Sequence, residues 1–112
     1  MTKQDLTRCL ILRRQLERSR ELLASLETAG LAAEAADVKE TMSGLEAELQ
    51  RSEAAVMDWI GGIEDDTMRM IFRLRFLHGM SWETVAALIG GGSTGKSVST
   101  RYRRYMEAHH VK

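Results

Sequence analysis

Six side chains suited to a polyanion, Lys96, Ser97, Thr100, Arg101, Arg103 and Arg104, fall within one short stretch of the chain. A guanidinium presents paired donors that match phosphate oxygens or the O6/N7 edge of guanine, and an ammonium acts as a point cation for phosphate. A hydroxyl adapts as donor or acceptor to either. Between them Val98, Tyr102, Tyr105 and Met106 recur at steps of four, three and one, which places a second, largely apolar stripe on the other side of a helix. A helix divided in this way can be anchored by one side while the other reaches base edges and phosphates in a groove.

The turn in front of that helix adds a second possibility. Gly90 to Ser97 reads GGGSTGKS, a formal match to the phosphate-loop pattern G-x-x-x-x-G-K-S/T. In a nucleotide-hydrolysing fold this loop follows a buried β-strand and opens a helix inside a parallel sheet. Here residues 82–89 carry apolar side chains at helical spacing, nothing else in the chain reads as a strand, and no acidic residue follows a strand to hold magnesium. The expectation is therefore no nucleotide. The local chemistry remains: consecutive N–H groups at a helix start, with the Ser93 and Thr94 hydroxyls and Lys96 nearby, suit the phosphate of a duplex.

No other constellation supports catalysis or a cofactor. His109 and His110 lack converging Cys or carboxylate partners, so no metal is expected. Glu64, Asp65 and Asp66 sit where a helix should begin, and capping accounts for them. Cys9, the single cysteine, excludes an intrachain disulfide and a multi-Cys zinc site, and its place on an apolar seam makes it a small buried hydrophobe. Trp59 and Trp82 read as packing residues. No Ser/His/Asp or Cys/His arrangement suggests an enzyme.

The elements that must position the basic helix follow from periodicity. The chain lacks Pro and is rich in Leu, Ala, Glu, Arg and Met, a helix former's composition. Cys9, Leu12, Leu16, Ser19, Leu23 and Leu26 line one helix; Leu31, Ala35, Val38, Met42, Leu45, Leu49, Ser52, Val56, Trp59 and Ile63 line a second. The two registers clash at Ala29 and Gly30, which predicts a turn there and an antiparallel pair. Gly44, inside the second helix, leaves room for a neighbouring backbone or is simply a surface glycine. After Gly61 and Gly62, Asp65 or Asp66 can cap a short helix with Met70, Ile71, Leu74 and Leu77 inward. His78-Gly79 closes it, Ser81 caps the next with Val85, Leu88 and Ile89 inward, and the basic helix starts near Thr94 or Gly95. The expected fold class is all-α: a coiled-coil-like N-terminal antiparallel helical hairpin over residues 1–60, for oligomerisation or partner docking, then a three-helix helix-turn-helix domain over residues 61–112.

Zero net charge conceals segregation. Residues 1–30 carry 6 basic and 4 acidic groups, residues 31–66 carry 2 and 10, and residues 67–112 carry 8 and 2. The basic end is the candidate for phosphate and the acidic middle for another partner. The sequence shows neither a signal-peptide core nor an apolar run of membrane-spanning length, so a soluble cytoplasmic location in a bacterial or phage-infected cell, away from membranes, is expected.

The stretch RMIFRLRFLHGMSWETVAALIG over residues 69–90, followed by TGKSV over 94–98 and by Arg101, resembles region 4 of sigma-70-type RNA polymerase sigma factors, and within that family the small sigma-like regulators of phages and prophages. The resemblance covers about residues 59–106. It implies a helix-turn-helix that reads promoter DNA through its last helix and can touch RNA polymerase, with DNA contacts from Lys96, Ser97, Thr100 and Arg101 and packing by Val85, Ala86, Ile89 and Val98. Thr84 stands where the family commonly carries Glu, and the turn from Gly90 to Thr94 is about two residues longer than the family's. Residues 1–58 match none of the sigma regions that bind the polymerase core or melt the promoter. The expected function is sequence-specific binding of double-stranded DNA by a homodimeric transcriptional regulator, through Ser93, Thr94, Lys96, Ser97, Thr100, Arg101, Arg103 and Arg104. The alternative uses the same module as the DNA-recognition subunit of a phage packaging complex, small-terminase-like, or of a replication-initiation complex.

Overall fold

A computed structural model describes all residues, Met1–Lys112. The chain is entirely helical, without strands: α1 (Lys3–Thr28), α2 (Ala32–Gly61), α3 (Asp66–Phe72) continued by a π-helical turn (Arg73–Leu77), α4 (Trp82–Ile89) and α5 (Gly95–Ala108). No helix is long and apolar enough to cross a membrane.

The helix ends follow the capping chemistry of the sequence. Thr2 and Asp5 exchange backbone and side-chain hydrogen bonds at the start of α1. These bonds to Thr2 hold the Asp5 carboxyl below its ordinary range. The Asp65 carboxylate accepts from Met68 N–H at 2.8 Å and Ser81 Oγ accepts from Thr84 N–H at 3.2 Å. Gly30 turns the chain between α1 and α2 with φ +74°.

The first two helices run antiparallel through the short turn at Gly30 and are cross-linked by Arg8 to Glu48 at 2.6 Å, Arg13 to Glu53 at 2.5 Å and Lys39 to Glu27 at 3.8 Å. The seam is unevenly filled. Cys9, Leu12 and Leu16 are buried against α2, whereas Ser19, Leu23 and Leu26 are only half-buried. Along α2, Ala35, Leu49 and Val56 are buried, Val38, Met42 and Leu45 are half-buried, and Leu31, placed on the seam by its spacing, is exposed. Gly44 faces open space, so within one chain it is a surface glycine. Cys9 is fully buried with Sγ 2.9 Å from Ser52 Oγ, and burial pushes its thiol pKa up, away from reactivity.

One core joins the base of this pair to the three short helices. Leu6, Cys9, Val56 and Ile60 belong to the same buried cluster as Met68, Ile71, Phe72, Phe76, Val85, Val98 and Met106. Phe72 is its hub: its ring lies 5.4 Å from Trp59, 5.7 Å from Phe76, 5.5 Å from Tyr102 and 5.3 Å from Tyr105, mostly edge to face.

Two inward assignments are corrected. Met70 is 46% exposed and Leu88 is 60% exposed. In α3 the buried stripe is Met68, Ile71 and Phe72, and the π-helical turn behind it, with His78 N–H donating to Arg73 O, shifts the phase so that Phe76 and Leu77 enter the core. In α4 the inward side is centred on Val85 and Ala86, with Ile89 half-buried, and Leu88 falls past its edge.

Arg13 pins α1 to the turn between the π-helical segment and α4. Its Nη2 donates to Glu53 Oε1 and to the Leu77 carbonyl, while its stem lies so close to Gly79 that a Cβ there would be 2.9 Å from Arg13 Cδ. Gly79 also has φ +69°, so both backbone and space call for glycine. Arg13→Ala is expected to cost about 1–2 kcal/mol, a charged hydrogen bond discounted for a side chain still partly open to solvent. Urea denaturation followed by circular dichroism measures it, and an unchanged midpoint would remove the pin.

Candidate nucleic-acid interface

The turn that launches α5 is built from glycines in a conformation other residues avoid. Gly90, Gly91 and Gly92 have φ of +74°, +64° and +78°, and each would cost about 1–2 kcal/mol with an L side chain. The turn follows α4, a helix, so the strand that precedes a nucleotide-binding phosphate loop is replaced by a different element. Ser93, half-buried, donates its N–H to Gly90 O at 3.1 Å.

Thr94 and Ser97 form a reciprocal cap. Thr94 N–H donates to Ser97 Oγ at 2.8 Å, Ser97 N–H donates to Thr94 Oγ1 at 3.0 Å, and Ser97 Oγ–H can donate to Thr94 O at 2.9 Å. Both hydroxyls are thus engaged in starting the helix, a role their assignment to ligand contact did not include. Ser99 similarly donates to Lys96 O at 3.1 Å.

From this start α5 divides as its sequence requires. Val98 and Met106 are fully buried, and Tyr102 and Tyr105 pack on the core through Phe72. Burial raises the pKa of both phenols, so they stay protonated at neutral pH and bring no charge inward. On the opposite side Thr94, Lys96, Ser97, Thr100, Arg101 and Arg104 line one shallow groove with no apolar residue in its wall. Arg103 is exposed outside this lining, and Ser93 stays in the turn. Six of the eight predicted residues therefore come together.

The groove's charge is uncompensated. The four ion pairs of the chain involve Arg8, Arg13, Lys39 and Arg69, and none uses Lys96, Arg101, Arg103 or Arg104. Glu48 and Glu53 of α2 pair with α1, and α2 does not touch α5.

One cation of the basic segment serves packing. Arg75 donates from Nη1 to Met80 O at 2.8 Å and lies 4.7 Å over the Trp82 ring. Burial first, and Arg14 second, lower its pKa from the ordinary guanidinium range. Trp82 in turn packs on Tyr102 at 5.3 Å between ring centres, so this stack fixes α4 against α5. Nothing in the spacing of Arg75 marks this role, which depends on the turn at Gly79 that brings Trp82 back under its guanidinium. Tyr105 stacks at 3.9 Å on His109, whose ring nitrogen meets Tyr105 O, and no group of His, Cys, Asp and Glu in the chain could hold a metal ion.

Comparison with protein-family models, with curated proteins and with solved structures returned no match. The functional reading rests on the geometry of α5 and on its resemblance in sequence.

Proposed function

We propose that this protein binds double-stranded DNA through α5, with α3, α4 and α5 acting as a helix-turn-helix, and that it is a sigma-like transcriptional regulator of phage or prophage genes. The observation that carries the proposal is the groove formed by Lys96, Ser97, Thr100, Arg101 and Arg104, free of internal acidic partners and backed by a buried stripe that fixes the helix's rotation. Any surface helix packed on a core has an apolar and a polar side; what favours a groove reader is that the polar side gathers unpaired cations and hydroxyls into one groove. In this reading Arg101 and Arg104 reach bases or phosphates, Lys96 holds phosphate, and Thr94 and Ser97 set the helix start. RNA polymerase enters as a further partner on the sequence resemblance alone.

The α1–α2 hairpin supplies self-association. Between Leu16 and Leu49 only Ala35 is buried, and Leu22 and Leu31 are about half exposed, so the far end of the hairpin lacks the cover a helix pair needs. A second copy completing that layer gives the proposed dimer.

Fluorescence anisotropy against random and phage-derived duplexes at two salt concentrations, with solution mass measured in parallel, tests the reading. The expected result is salt-sensitive, selective binding by a dimer. Absence of duplex binding would refute it, and a closed ring of eight or more copies would move the module to DNA packaging.

A further inference from the structure

Gly95, the glycine before Lys96 in the GGGSTGKS turn, has an unexpected neighbour. A Cβ there would stand 2.7 Å from Glu83 Oε1, 3.0 Å from its Cδ and 3.2 Å from its Cγ. Gly95 has no left-handed φ to explain it, unlike Gly90, Gly91 and Gly92. In a phosphate loop a glycine at this place lets phosphate oxygens approach the backbone. Here the room it leaves is taken by a carboxylate of the chain itself, projected from the first turn of α4 onto the first turn of α5.

That carboxylate is held by no direct partner. Glu83 has no ion pair and no side-chain hydrogen bond; Arg75, in the same neighbourhood, is committed to Met80 O and the Trp82 ring. Glu83 and Glu107 are the only acidic residues in 67–112, and they flank opposite ends of α5. Glu83 therefore sets a negative charge beside the first turn of α5, outside the six residues that line the groove and next to the positive end of the helix dipole that would otherwise favour any phosphate.

We infer that Glu83 is a specificity-determining residue: it repels phosphate from the backbone N–H groups at the start of α5, so that a polyanion gains little from that helix end and tight duplex binding depends on the side chains along the groove that reach bases and phosphates. This rests on the reading of α5 as the DNA-binding face. It also gives the motif glycine a role, since Gly95 leaves the space in which the Glu83 carboxylate lies.

The test compares the full chain with Glu83→Gln and with Glu107→Gln, which removes the same charge at the far end of α5. Two readouts are used: the salt concentration that elutes each protein from immobilised heparin, a polyanion without bases, and the affinity for a random duplex. Glu83→Gln is expected to elute at higher salt and to bind random duplex about 3- to 10-fold tighter, with a steeper salt dependence, while Glu107→Gln stays within about 2-fold of the parent. Equal shifts in both variants would reduce the effect to net charge and overturn the inference. An unmoved heparin elution, or weaker duplex binding by Glu83→Gln as for a lost base contact, would also overturn it. If heparin elution shifts as expected but the parent selects no duplex, the DNA-reading proposal fails and Glu83's discrimination against polyanions stands.

Discussion

Phe72→Ala is expected to remove about 3–5 kcal/mol of folding stability, the range for emptying a fully buried aromatic site. The ring is 0% exposed and touches Trp59 of α2, Phe76 of the π-helical turn, and Tyr102 and Tyr105 of α5. Four of its neighbours are aromatic rings, which are too rigid to collapse into the vacated space. A domain of this size has only about 5–15 kcal/mol to lose, so the variant should be partly unfolded near body temperature. Loss of the α2 and α5 signals should coincide, since one cluster carries both. Guanidinium unfolding monitored by circular dichroism and by Trp59 and Trp82 fluorescence measures this. A loss below about 1.5 kcal/mol, or two separate transitions, would show that the hub is not shared.

Much of this arrangement was readable from the chain because local chemistry and global packing agree. Thr94, Val98, Tyr102 and Met106 encode the start and inward face of α5 together, and Asp65 and Ser81 cap helices where their types predict. The register break at Ala29 and Gly30 became the turn between α1 and α2. Phase failed in α3, where Met68, Met70, Ile71, Phe72, Leu74, Phe76 and Leu77 place apolar groups around most of the circumference and no single stripe is privileged. The choice among them is made by rings from α2 and α5 and by a π-helical turn, neither of which a periodicity of 3.6 can register. Within the site, the residue types of the groove were legible, but the engagement of Ser97 and Thr94 with each other and the approach of Glu83 to Gly95 depend on how α4 and α5 meet.

The second large effect concerns binding. Lys96 and Arg101 are exposed, unpaired with any acid and outside the core, so replacing both with Ala should leave folding intact. Each lost contact is worth about 1–3 kcal/mol if it reaches a base edge, and each lost phosphate contact flattens the salt slope by about 0.9. The double variant is expected to bind its duplex about 100-fold more weakly at physiological salt. Replacing Arg8, which faces Glu48 on the hairpin, is the matched control for a cation away from α5.

The most direct measurement of the central claim is the slope of log affinity against log salt for a duplex, determined for the parent chain and for Lys96→Ala/Arg101→Ala. A slope that falls by between one and two in the double variant, with unchanged helicity, is the predicted result. Parallel slopes for the two proteins would contradict the assignment of α5 as the surface that meets DNA.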